Sequence, residues 1–372
     1  MSDHDHDTAR PRLHLALEAD GDGAHPAAWR YSGRPAAAVL GPGAVRAGVA
    51  AAEEAGFTLV TLADTPVPPS AGLDAAGRVE AGSRAAFVSA LTDRIGLAPT
   101  LHATTTEPFH LAAQLASLDH ASNGRAAWVV GAANSPEERA TIGAEPLSAE
   151  ELRHEVADVI DVARALWDSW EDDAVIKDVE TGRYLDPDKI HHVDFEGAGF
   201  TVKGPLITPR PPQGQVVVLA PDALDADARA DIVLVARPDL DAVRERARQA
   251  GQAGAPLIFA EVEVVLDADA PAAERLARLD ESTQWPRSGR LRHVGSAAGL
   301  VDLLRRLAEV VDGVRLHPAV LAVDLPVLTE QVLPALAAEG LHRAPRAGYT
   351  LRGTLGLARP TNRFAAAATT NA

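Results

Sequence analysis

The run Phe57-Thr58-Leu59-Val60-Thr61-Leu62, closed at Ala63-Asp64, decides the fold when taken with the segments downstream of it. A helical pattern near Glu80 to Leu91 comes next, then a second apolar run from Ile95 to Leu101. Glu107 to Ala121 is again helical, and Ala126 to Gly131 is a third short apolar run. Strand, helix, strand, helix, strand is the alternation that builds parallel sheets, and continuous apolar runs suit strands buried on both faces.

The same alternation extends in both directions. Upstream lie Leu13-His14-Leu15-Ala16-Leu17 and a helix from about Ala44 to Ala55, stopped by Gly56 as a C-terminal cap. Downstream, Val216 to Ala220, Ile232 to Ala236, Leu257 to Leu266 and Val314 to Leu316 read as four more strands. Helices are expected at Ala223 to Arg229, Asp239 to Gln252, Pro271 to Leu279, Ala297 to Val311 and Pro326 to Glu339. Eight strand–helix units predict one (β/α)8 TIM barrel over residues 11–343, and 372 residues suit such a single domain. One excursion interrupts it, at about 132–215, with a helix from Ala149 to Trp170 and a polar hairpin region. Insertions after a barrel strand are expected over the C-terminal face. Residues 1–10 and the Ala/Thr end of the 344–372 tail are expected to be disordered.

Composition narrows the function classes. A formal net charge of −17 disfavours nucleic acid, whose backbone demands clustered Lys and Arg. The absence of cysteine excludes disulfides, thiolate metal sites and cysteine nucleophiles. Met1 to Arg10 is polar and unlike a signal peptide, and no run of about 18 apolar residues suggests a membrane span, so the cytoplasm is the expected location. His4, His6, His191 and His192 lack convergent partners for a metal, and none is expected.

Several longer strings are specific. They include Ala103-Thr104-Thr105-Thr106-Glu107-Pro108, Asn123-Gly124-Arg125, Trp167-Asp168-Ser169-Trp170-Glu171-Asp172-Asp173, Pro209-Arg210-Pro211-Pro212-Gln213-Gly214 and Arg359-Pro360-Thr361-Asn362-Arg363. Together they resemble the bacterial luciferase-like flavin-dependent monooxygenases, and within them the nitrilotriacetate and dibenzothiophene-sulfone monooxygenase branch. The resemblance implies a two-component enzyme. Reduced FMN, supplied by a separate NAD(P)H:flavin reductase, would use O2 to oxidise a small organic substrate, in a homodimer. By the same resemblance Asp64 and the hydroxyls of Thr100, Thr104 and Thr105 are candidate flavin contacts, and Arg153 a candidate phosphate partner.

The chain departs from the family at other flavin contacts. An Asn usual after the fourth strand is missing from Ala127-Trp128-Val129, and Ala149 and Arg153 stand where a His and a Tyr are usual. After the fifth strand a phosphate-holding loop of small residues is replaced by Leu219-Ala220-Pro221-Asp222, and the insertion after the seventh strand is shortened. Pro221 has no amide hydrogen to donate, and Asp222 would repel a phosphate. Two further readings therefore stay open: a non-catalytic barrel acting as a binding or partner subunit, and use of the deazaflavin F420.

Overall fold

A computed structural model of the chain describes residues 12–68 and 77–365. The expectations placed on residues 1–10 and on the final Ala/Thr stretch lie outside the described residues. Four strands open the wall: β1 (His14–Glu18), β2 (Leu59–Leu62), β3 (Gly96–His102) and β4 (Ala127–Gly131). The excursion carries β5 (Val175–Asp178), β6 (Arg183–Leu185), β7 (Phe195–Glu196) and β8 (Thr201–Val202), paired as two antiparallel hairpins. The wall resumes with β9 (Val217–Pro221), β10 (Ile232–Val235), β11 (Leu257–Leu266), β12 (Leu291–Gly295) and β13 (Gly313–Pro318). All wall pairings are parallel, and β10 against β11 closes the eight-stranded barrel predicted from the alternation.

Helices α1 (Pro42–Ala55), α2 (Ala81–Ser89) and α3 (Pro108–Ala121) cover the first strands, followed by α4 (Pro136–Ala140) and α5 (Ala149–Trp167). Then come α6 (Leu240–Gln252), α7 (Ala272–Ser282), α8 (Ala297–Leu307) and α9 (Leu321–Ala338). Their ends follow local chemistry. Gly56 takes a left-handed φ of +95° and returns its amide to Ala52, while Ser148 and Glu151 form a capping box that starts α5.

Alternation along each strand separates two cores. Leu15, Leu17, Val60, Leu62, Leu97 and Val218 point outward to the helices, whereas Ala16, Leu59, Ala98, Val129, Leu219, Leu234 and Phe259 fill the lumen. Leu351 and Leu355 of the tail join the lumen cluster and close the barrel from below, where the Leu351 amide donates to the Gly124 carbonyl at 2.8 Å.

Four expectations need correction. Leu291–Gly295 forms a ninth strand, pairing with the upper half of β11 from Val262 to Leu266. It escaped the apolar-run criterion because Arg292 and His293 occupy its centre. The expected helix at Ala223 to Arg229 is a single 3-10 turn at Asp222–Leu224, ended by Asp225 at φ +52°. The last helix starts at Leu321, with Pro326 in its first turns and a π turn at Leu328–Val332. By length and mean hydropathy α9 could cross a membrane, yet Leu325, Leu328, Val332 and Leu336 are buried in the barrel core and Asp324 is fully buried.

The fourth correction concerns the excursion. Helix α5 runs back toward the N-terminal face, so the Trp167 and Pro209 strings lie under the barrel and not over its mouth. Arg210, 6% exposed, pairs with buried Asp168 at 2.8 Å and with Asp172 at 2.9 Å, and Arg359 of the tail also reaches Asp172. Asn362 donates to the carbonyls of Asp168 and Trp170, and Gln213 donates to Asp119 at 2.6 Å. Arg352 joins Asp231 and the Gln215 carbonyl. These residues clamp the tail to the barrel floor.

Candidate active site

The C-terminal mouth is where catalytic groups of barrels converge. At the ends of β2 and β3 the structure holds a cleft of about 500 Å³, lined by Asp64, Thr65, Arg78, Thr100, His102 and Thr105 among others. Its volume is that of a small-molecule site.

Three of the five expected site residues meet there. Asp64 directs one carboxylate oxygen to the Thr65 amide (2.8 Å) and the other to the Ala81 amide at the start of α2 (2.6 Å). Its carboxylate thus anchors a helix start at the cleft edge. Thr100 and Thr105 line the cleft, half-buried. Thr104 does not: its hydroxyl is buried and donates to the Ala133 carbonyl at 2.7 Å, tying the loop after β3 to the loop after β4. Arg153 lies elsewhere on α5, half-exposed and 3.8 Å from Asp225 in the turn after β9.

His102 is a cleft residue that sequence reasoning missed. Its Nδ1 accepts from the Ala133 amide at 3.1 Å, so Nε2 carries the proton donated to the Asp64 carbonyl at 3.1 Å. The ring lies flat against Gly131, where a Cβ would sit 2.5 Å from Nδ1. Its signal in the sequence was its place as the last residue of β3, just before the Thr cluster.

A second missed group fills the lumen just below the mouth. Glu261 and Glu263 alternate on β11, and Arg315 and His317 alternate on β13, so all four point inward. Arg315 donates from Nε to Glu261 at 2.6 Å, His317 lies 3.2 Å from the same oxygen, and Arg290 reaches the other at 3.3 Å. Arg292 holds Glu263 at 2.7 Å and stacks on Trp285 at 4.1 Å. Burial alone would raise Glu261, but Arg315, His317 and Arg290 outweigh it and hold the carboxyl well below its ordinary value. His317 is pushed down to about 4 by burial, which keeps it neutral.

Glu18, at the end of β1, accepts from the Thr61 hydroxyl (2.8 Å) and the Ala63 amide (3.0 Å). Arg315 is nearer Glu261 than Glu18, which it approaches only to 3.6 Å. Burial therefore dominates at Glu18 and lifts it to about 7. A carboxyl that exchanges its proton near neutrality is thus bonded to the residue that precedes Asp64 at the mouth.

A mouth with a cleft, a hydrogen-bonded imidazole and short hydroxyls can bind a small ligand, and the comparisons with known proteins bear on which kind. Residues 24–324 match the luciferase-like monooxygenase family. The chain belongs to this family. It is 28% identical to N-acetyl-S-(2-succino)cysteine monooxygenase of Bacillus subtilis, covering 96% of this chain and 99% of that one. That alignment is 436 positions long against 372 residues here, so at least 64 of its positions have no counterpart in this chain. Nitrilotriacetate monooxygenase component A of Aminobacter aminovorans is 40% identical over 135 residues, 36% of this chain and 30% of that protein, as the branch resemblance led us to expect. The crystal structure of a long-chain alkane monooxygenase shares the fold, with a TM-score of 0.83 at 21% identity over 96% of this chain and 99% of its own. Membership makes this luciferase-like protein an oxygen-using, flavin-dependent enzyme.

Proposed function

We propose that this luciferase-like enzyme is the oxygenase of a two-component system, using O2 and reduced FMN delivered by an NAD(P)H:flavin reductase to oxidise a small organic substrate. The observation that carries this reading is the cleft at the ends of β2 and β3, where Asp64, Thr100, Thr105 and His102 surround a space of about 500 Å³. The flavin, when bound, supplies the oxygen chemistry, and the protein supplies orientation and exclusion of water.

The residues present fit a flavin ring. Short hydroxyls at Thr100 and Thr105 can meet the polar edge of the ring, His102 offers a fixed flat surface, and Asp64 keeps lone pairs beyond its two amide bonds. Thr104 holds the loop that carries Thr105. Glu18 holds or releases a proton beside this cleft, and the paired Glu261 and Arg315 keep its surroundings polar without net charge. A location in the cytoplasm and a homodimer formed through the early barrel helices complete the reading.

Anaerobic titration of the purified chain with reduced FMN, followed by flavin fluorescence, tests it. Saturable binding that weakens in His102→Ala and Asp64→Ala is the expected result. No saturation by any reduced flavin, FMN or riboflavin, would overturn the reading in favour of a binding or partner subunit, and saturation by reduced F420 alone would replace the cofactor.

A further inference from the structure

Two guanidinium groups converge on one buried carboxylate at the end of β9. Asp222 has a side chain only 3% exposed, and its Oδ2 lies 2.6 Å from Arg237 Nη1 and 3.2 Å from Arg246 Nε. Arg246 turns its Nη2 to both oxygens of Asp227, at 2.8 Å each. Arg153 faces the same turn from α5, beside Asp225. Arginines from α5, the end of β10 and α6 thus surround a turn whose three carboxylates neutralise them.

Arginines drawn from separate elements onto one oxygen are how a protein holds an oxyanion. In this barrel the oxyanion is built in. The backbone offers a phosphate nothing further: Pro221 has no N–H, and the turn at Asp222–Leu224 spans three residues, too short to present the free amides of a helix start. The end of β9 nevertheless lies within a flavin's length of the cleft at β3. Around the wall the order is β3, β4, β9, and two strand spacings of about 4.8 Å separate the cleft strand from Asp222. The ring portion of FMN fits this chain, and the phosphate portion does not.

We propose that Asp222 fills the anion site at the end of β9 as a resident counter-ion, so that this enzyme selects its flavin by the ring and takes riboflavin as readily as FMN. The proposal rests on the flavin reading above and names the form of flavin. Asp222 sits at ion-pair distance from Arg237 and Arg246, so an incoming phosphate meets a buried carboxylate and arginines that already have a counter-charge. Replacing Asp222 by its uncharged isostere leaves Arg237 and the Nε of Arg246 without that counter-charge and open to phosphate, while Asp227 keeps Arg246 in place.

The test compares affinities for reduced FMN and reduced riboflavin in the unmodified chain, in Asp222→Asn and in Asp222→Asn/Arg246→Ala, at fixed ionic strength. In the unmodified chain the two affinities should agree within about threefold, because no charged pair forms with the phosphate. Asp222→Asn should gain about tenfold or more for FMN with riboflavin unchanged, and the added Arg246→Ala should remove the gain. FMN binding ten times tighter than riboflavin in the unmodified chain would overturn the proposal, and that comparison needs no variant to fold. Inorganic phosphate supplies an arm independent of flavin: it should raise the melting temperature of Asp222→Asn above a chloride control of equal ionic strength, and leave the unmodified chain unaffected. If neither flavin binds, the flavin reading fails, and the phosphate arm alone decides whether Asp222 fills an anion site.

Discussion

Substituting Glu261→Gln should destabilise the barrel more than any surface change, and the size of the effect comes from the lumen geometry. Glu261 is 4% exposed and serves three partners: Arg315 at 2.6 Å, His317 at 3.2 Å and Arg290 at 3.3 Å. Arg315 is 5% exposed, so without Glu261 the carboxylate left to its charge among the described residues is Glu18, 3.6 Å away. Removing one member of a buried ion pair costs about 3–5 kcal/mol, because the other charge is left uncompensated. The glutamine oxygen still accepts one hydrogen bond and Glu18 takes up part of the charge, which places the cost near the lower bound, about 3 kcal/mol. At roughly 2–3 °C per kcal/mol for a large domain, the melting temperature should fall by about 6–9 °C. Scanning calorimetry on Glu261→Gln, Arg315→Met and the double variant measures it. The double variant should melt above the sum of the single losses, since an apolar side chain leaves no orphaned charge. A fall of less than about 1 °C in Glu261→Gln, or strict additivity, would refute the account of the lumen as a coupled ion-pair layer.

Glu18, lifted by burial from 4.5 to about 7, binds its proton more tightly when folded, so its contribution is present below pH 4.5 and lost as pH rises to about 7. At 1.36 kcal/mol per pH unit this amounts to about 3 kcal/mol, and Glu18→Gln should gain on the unmodified chain in melting temperature between pH 5 and 8; parallel profiles would dismiss the shift. Arg210→Ala leaves the carboxylate of Asp168, 1% exposed, with Gln215 as its nearest donor at 2.7 Å, and should cost about 3–5 kcal/mol in urea unfolding. A cost below about 1 kcal/mol would mean that the tail clamp is decorative. Gly131→Ala drives a methyl into the His102 ring, costing about 1–3 kcal/mol, and reduced-flavin affinity should fall with it; unchanged affinity would remove His102 from the site.

The barrel was legible because its information is local and repeated. The run Leu257 to Leu266 appears in the structure with the same ends, and Gly56 stops α1 as a left-handed cap. The misreadings occur where tertiary contacts outweigh local pattern. Leu291–Gly295 is half polar and is a strand only because β11 is ten residues long, with its upper half open for pairing. Asp222–Leu224 fails to continue as a helix where Asp222 is captured by Arg237 and Arg246. The strings in the excursion were informative about family but misplaced in space. Trp167 to Asp173 and Pro209 to Gly214 are specific because they close a buried network around Asp168 and Arg210, a structural task on the barrel floor.

Of the candidate site, the sequence pointed to Asp64 and the hydroxyls but not to the charged lumen group, which is made by closure of the barrel. Glu261 and Arg315 are 54 residues apart, and each alone has the look of a solvated charge. What betrays them is period: Glu-x-Glu inside an apolar strand, and Arg-x-His inside another, put two polar groups on one face of a wall that is otherwise aliphatic. Such a layer is a poor choice for stability, since well-packed apolar residues of similar volume are often neutral or better. It does, however, fix a field at the mouth that a fluid apolar layer would not, and it leaves Glu18 as the member of the layer whose charge changes near neutral pH. Glu18 bonds to the Ala63 amide, and Ala63 precedes Asp64 on the cleft edge, so a proton gained or lost there is felt at the cleft. Stability accounts for the aliphatic lower lumen; on the proposed reading, the charged upper lumen serves chemistry at the mouth.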